Sequence, residues 1–172
     1  METRAAGPKA PDLESRWPRL TKLSYGGTAA IVTGMGLVVA FDAGTTSKAT
    51  LIGSLLVVAI ADNLADSLAM HVYQESEKLD SRKAFRSTIA NYLTRLLVAG
   101  SFVVLALLVP SHSLVPVVLA WGMSLLCTLS YFVAKARGVA PGLEVLKHLA
   151  VAIVVIGLSR AVGAWILARV SP

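Results

Sequence analysis

Apolar residues run along this chain in five long stretches, at roughly 24–41, 50–73, 88–109, 114–134 and 143–168, with polar and charged residues gathered between them. Each stretch is near the ~20 residues that an α-helix needs to cross a ~30 Å hydrocarbon core. The pattern predicts an all-α integral membrane protein with five transmembrane helices over residues 24–170. The first 23 residues are polar and carry Pro8, Pro11 and Pro18, so they are expected to form a flexible tail. The connections are short, and the longest, from Gln74 to Ser87, is charged and expected to be helical in part. Short connections make successive helices antiparallel neighbours.

Composition leaves little room for anything else. With 55% hydrophobic and 15% charged residues among 172, no sizeable soluble domain remains. The net charge of +6 would suit nucleic acid, but the placement of the basic residues gives a different reading. Arg4, Lys9, Arg16, Arg19 and Lys22 precede the first span, Lys78, Arg82, Lys83 and Arg86 separate the second and third, and Lys135 and Arg137 separate the fourth and fifth. The opposite side holds only Lys48 and Arg169. That alternation predicts a cytoplasmic N-terminus, an exterior C-terminus and no nucleic-acid partner. The tail lacks an apolar signal region, so the first span is expected to act as the anchor. The single cysteine, Cys127, excludes an internal disulfide and a cysteine metal cluster.

The second span carries the chemistry. Asp62 and Asp66 lie inside it, four residues apart and so on one helical face. A carboxylate in a bilayer core costs several kcal/mol, roughly, and usually marks an ion or proton path or a buried pair. At ~1.5 Å of rise per residue, Asp62 lies about 18 Å in from Thr50, near the midplane. Met70, Tyr73 and Glu77 continue the stripe, within about 80° of one another around the helix. Carboxylate oxygens suit hard and borderline cations and a thioether softer ones, so Asp62, Asp66 and Met70 form a candidate site for a borderline divalent ion. Glu75, Glu77 and Asp80 would raise the local cation concentration at the cytoplasmic entrance.

An internal partner is also visible. Arg95 lies in the third span at the depth of Asp66, on an antiparallel neighbour, so the two side chains can meet. Asp62 has no evident partner. Arg160 can snorkel to the interface or meet Asp42, and Lys147 and His148 can pair with Glu144. His71, near the inner end of span two, is expected to contact headgroups. Gly26, Ala30 and Gly34 form a small-residue stripe that serves packing within the chain, a dimer seam or the wall of a pathway.

These segments resemble the vacuolar iron transporter family, five-helix carriers that move Fe²⁺ or Mn²⁺ out of the cytosol. Ser24-YGGTAAIVTGMGL-37 is similar to that family's first helix, with its Ser-Asp-Gly opening and later Gly-Leu. Ala59-IADNLADSLAMHVYQESE-77 is similar to its second, in which an acidic or amide residue precedes an Ala/Ser-Met pair. Those positions are Asp62 and Ala69-Met70, and Asp66 matches an Ala-Asp step common in bacterial members. The chain departs from the family pattern at Tyr25, where an Asp is usual, and at Arg95, where the family is apolar. The family's cytoplasmic metal-collecting insert shrinks here to the Gln74–Ser87 connection.

The resemblance implies a small bacterial-type carrier of Fe²⁺ or Mn²⁺, a homodimer in the plasma membrane with its pathway near spans one and two. Metal would be its substrate, with no resident cofactor. Proton exchange is the coupling that a desolvated carboxylate allows. A non-transporting scaffold or regulatory protein that keeps the fold is the competing expectation. Enzyme function is not expected, because no nucleophile motif, phosphate loop or HExxH appears and both aspartates are on one helix.

Overall fold

The computed structural model describes residues 20–44, 46–77 and 80–170. Its elements are α1 (Leu20–Ala43), α2 (Lys48–Ser76), α3 (Ser81–Leu108), α4 (Ser111–Arg137) and α5 (Pro141–Val170). All five are long and apolar enough to cross a membrane. The helices run past the apolar stretches at several ends, because charged residues at a span's ends are as compatible with a helix as apolar ones. Most of the expected tail lies outside the described residues, and α1 already begins at Leu20.

Local signals set the boundaries. Ser47 caps α2 through its hydroxyl, which accepts from the Thr50 N–H at 3.2 Å. Asp80 caps α3, its carboxylate accepting from the N–H groups of Arg82 and Lys83 at 3.0 and 3.1 Å. Gly138 ends α4 in the left-handed region at φ 71°, where a Cβ would be strained. Pro116 is tolerated in the second turn of α4, where the ring costs one backbone hydrogen bond. Lys48 reaches across to the end of α3, donating to the carbonyls of Leu107 and Val109 at 3.3 and 2.9 Å. A cation there satisfies carbonyls that have no partner within the helix.

Helix α1 is central and packs on α3, α4 and α5, whereas α2 leans chiefly on α3. The core is built around Ile31, Met35 and Val38 of α1 with Phe102 of α3 and Val118 and Leu126 of α4. Small residues allow the helices to close. A Cβ on Gly34 would stand 2.7 Å from the Phe102 ring, and one on Gly122 would enter the Met35 side chain. Gly26 faces Asn91 and Arg95 of α3 in the same way, and Ala30 between them is buried. The Gly26, Ala30 and Gly34 stripe is therefore a packing surface within the chain, which corrects the dimer-seam alternative. Helices α2 and α5 leave long outward rows of Leu, Ile and Val, as lipid-facing spans do.

Gly34→Leu should lower the stability of the single chain by roughly 1–3 kcal/mol, the usual range for overpacking a core. Thermal unfolding in detergent measures this. A variant of unchanged melting temperature but altered oligomeric state would restore the seam reading.

Candidate functional site

Buried positions on α2 recur every fourth residue: Leu51, Leu55, Ala59, Asn63 and Ser67. In a regular α-helix each such step overshoots a full turn by about 40°, so four steps would carry the row about 160° around the helix. A π-helical turn at Val58–Asp62 absorbs much of that drift, and the row stays against α3. The turn has a second effect. The Asn63 N–H bonds to the carbonyls of Val58 and Ile60, skipping that of Ala59. The Asn63 carboxamide takes up the skipped carbonyl, Nδ2 donating to Ala59 O at 3.0 Å. Its Oδ1 is thereby turned toward α3. Such π turns recur at functional sites.

That oxygen meets Arg95, whose Nε donates to it at 2.8 Å. Arg95 lies mid-way along α3, is 1% exposed, and is the largest fully buried side chain among the described residues. Its Nη1 is 2.8 Å from Asp66 Oδ2 and its Nη2 is 3.5 Å from Asp62 Oδ2. The Nη1 contact is ionic rather than a directed hydrogen bond, because Nη1 has no hydrogen-bond partner of acceptable angle. Asp62, Asn63 and Asp66 thus converge on one guanidinium from a single helix. Gly26 provides the other wall, since a Cβ there would stand 2.8 Å from Arg95 Cγ.

The expected Asp66–Arg95 contact is present. The expectation that Asp62 lacks a partner is corrected: the same guanidinium faces both carboxylates. Both aspartates stand on the open edge of the α2–α3 seam, with side chains 53% and 48% exposed on the outside of the bundle. Two carboxylates and one guanidinium leave a charge of −1 at mid-helix on a span whose other exposed side chains include Leu56, Ile60, Leu64 and Leu68. Among the described residues no group of three or more His, Cys, Asp or Glu comes together. One chain therefore offers a two-carboxylate face.

Below the triad the seam continues as a polar ladder. Asn91 Nδ2 donates to Ser67 Oγ at 3.1 Å, and Gln74 Nε2 to Ser87 Oγ at 3.2 Å. The buried side-chain atoms without a hydrogen-bond partner among the described residues all lie on this seam: His71 Nδ1, Gln74 Oε1, Asn91 Oδ1 and Arg95 Nη1. Met70 is half-buried one turn beyond Asp66.

The entrance carboxylates divide. Glu75 approaches His71 at 3.4 Å, and Glu77 is exposed at the end of α2. Asp80 is the cap of α3, and its Oδ1 accepts from both the Arg82 and Lys83 N–H groups, so one carboxylate oxygen is committed to the helix end. Elsewhere Glu144 pairs with Lys147 at 2.9 Å and Arg137 at 3.9 Å, while His148 turns away to the Ser130 hydroxyl at 2.8 Å. The possible Asp42–Arg160 pair is absent among the described residues, where both carry no ion pair.

Sequence reasoning overlooked Asn91 and the bridging role of Asn63. An amide four residues before an arginine within a span, and another beside an aspartate within a span, was the available signal. Comparison with protein-family models, with curated proteins and with solved structures returns no match for the chain.

The triad makes a sharp stability prediction. Asp62→Asn and Asp66→Asn should each cost little, because either remaining carboxylate still neutralises Arg95. The double variant should lose more than the sum of the two, by roughly 3 kcal/mol, since it strands a buried cation. Strictly additive melting-temperature shifts would show that the carboxylates do not share the guanidinium.

Proposed function

We propose that this chain is a carrier of divalent cations, Fe²⁺ or Mn²⁺, which works as a homodimer in the plasma membrane and exports metal from the cytosol. The observation that carries the reading is the uncompensated negative charge of Asp62, Asp66 and Arg95, half-exposed in the middle of a peripheral apolar helix. A net charge on a face toward lipid is costly, and it is relieved by a partner surface, a bound cation or a proton. Two copies meeting through this face bring −2 together, the charge that one divalent ion neutralises. Two protons neutralise it equally, so exchanging one metal ion for two protons leaves the site balanced in either state.

The residues then take separate roles. Asp62 is the ligand with the longer contact to Arg95 and is the easier one to release. Asp66 is held closer and positions the guanidinium. Arg95 keeps the site from binding metal too tightly to let go, as conduction requires. Met70 adds a softer ligand toward the Glu75 and Glu77 end, which the Lys/Arg asymmetry assigns to the cytoplasm. The polar ladder from Asn63 to Gln74 supplies hydrogen-bonding capacity along that half of α2. The resemblance of α1 and α2 to vacuolar iron transporters supplies the metal class and the direction.

A second reading is favoured by one specific contact. Arg95 touches both aspartates, as it would in a non-transporting scaffold or regulatory protein whose triad only fixes α2 to α3.

Reconstitution in sealed vesicles tests both. Wild type should move Fe²⁺ and Mn²⁺ when offered a panel that includes Mg²⁺ and Ca²⁺, with proton movement in the opposite direction. Asp62→Asn, which makes each triad neutral, and Asp62→Ala should cut flux at least about tenfold while the protein still folds, the effect of removing a charge that binds the transported ion. Glu75→Gln with Glu77→Gln should mainly weaken apparent affinity. Wild-type flux in well-folded Asp62→Ala would remove Asp62 from the pathway, and a wild type without flux under any ion gradient would favour the scaffold.

A further inference from the structure

At the lower end of the α2–α3 seam is a cleft of about 470 Å³ lined by His71, Ser81, Arg82, Phe85 and Arg86. We propose that it is a binding site for the phosphate headgroup of an anionic phospholipid. The inference rests on α2 and α3 spanning a membrane, and it does not depend on metal transport.

Depth comes first. Arg95 is at mid-helix, and at ~1.5 Å per residue Arg86 lies about 14 Å from it and Arg82 about 20 Å. The hydrocarbon ends about 15 Å from the midplane and the headgroup layer extends some 6 Å further. The cleft is therefore at headgroup level, on the side that the Lys/Arg asymmetry assigns to the cytoplasm, where anionic lipids gather.

Charge comes second. Arg82 and Arg86 are four residues apart, so both guanidiniums project from one face of α3. Among the described residues neither pairs with a carboxylate, unlike Arg95 and Arg137. Of the acids at this end, Asp80 caps α3 and Glu75 approaches His71 Nε2, while Glu77 is exposed at the end of α2. A planar guanidinium offers parallel N–H groups to two phosphate oxygens, and a second arginine one turn away can close on the same group. The Ser81 hydroxyl adds a neutral donor. His71 Nδ1, buried and without a hydrogen-bond partner, marks the inner wall.

Shape selects a lipid over a free anion. Phe85 is 58% exposed and stacks edge-on against His71 with ring centroids 6.2 Å apart, which gives the cleft an apolar lip. Towards mid-membrane, Leu68 is one turn from His71 and Ile89 one turn from Phe85, and both are exposed. A phosphate held by the arginines would send its acyl chains along these side chains. Inorganic phosphate would gain nothing from them.

Native mass spectrometry of the full chain in detergent tests this, with phosphatidylglycerol, phosphatidylcholine and inorganic phosphate as probes. Wild type should retain phosphatidylglycerol in preference to phosphatidylcholine and show no comparable retention of phosphate. Arg82→Gln with Arg86→Gln should lower phosphatidylglycerol retention on the order of tenfold or more, as the loss of two charge contacts at the membrane surface implies. Arg16→Gln with Arg19→Gln removes the same charge from the N-terminal segment and should leave retention nearly unchanged. Unchanged melting temperature in lipid-free detergent would show that the cleft variant still folds. Equal retention of the two lipids, equal loss in both double variants, or phosphate competing as well as lipid at equal concentration would each overturn the proposal.

Discussion

A guanidinium sealed inside a bundle of apolar helices has to be neutralised on the spot, because neither lipid nor the Leu and Val side chains around it can solvate charge. Arg95 has that constraint in full: it is as buried as Phe102 and lies at mid-helix. The arrangement of α2 follows from it. Asp62, Asn63 and Asp66 all turn to the arginine, the π turn frees the Ala59 carbonyl that orients Asn63, and Gly26 opens space for the arginine stem. Replacing Asn63, or adding a side chain at Gly26, would displace the guanidinium, whereas either aspartate alone still neutralises it. The triad is thus the point at which α1, α2 and α3 are held in register.

The same geometry explains why α2 sits at the edge of the bundle. Its inward row becomes polar from Asn63 downward, and it matches α3, which carries Ser87, Asn91 and Arg95 on the facing side. Helix α1 contributes Ile31, Met35 and Val38 and suits the apolar faces of α3, α4 and α5. Polar rows pair with polar rows, and apolar rows with apolar rows. The carboxylates are left at the boundary between the α3 contact and the outer face, partly compensated and partly open.

Helix number, approximate span limits and the depth match of Asp66 with Arg95 were legible in the sequence, because each depends on length, hydropathy and the fixed rise of a helix. The π turn was not. Ala-Ile-Ala-Asp carries no breaker, and the turn arises from keeping a four-residue row against α3. Asp62's share of the arginine was hidden for the same reason, since a change in local winding alters which side chains converge. The small-residue stripe of α1 was visible but ambiguous. Glycines at four-residue spacing announce a close neighbour without saying whether it belongs to the same chain, and only Asn91, Arg95 and Phe102 settle that. Asp80 shows the converse problem: an acid before a helix reads equally as a cap or as a collector of cations.

The stoichiometry of the triad separates its two possible uses. Fixing α2 to α3 requires one carboxylate per guanidinium, and Asn63 already supplies a neutral acceptor for Nε. A second aspartate adds little to that attachment, because the guanidinium is already neutralised, yet it places an extra negative charge at the middle of an apolar helix. For a purely structural pair an amide at position 62 would keep the shape and avoid the charge. The excess has a use if something positive arrives and leaves. A cation or proton would find one carboxylate free to accept it while the other continues to hold Arg95, so loading and unloading would proceed without unfastening the helices. That division between a holding carboxylate and an exchanging one is the physical reason to read the triad as a transport site rather than as a buried ion pair.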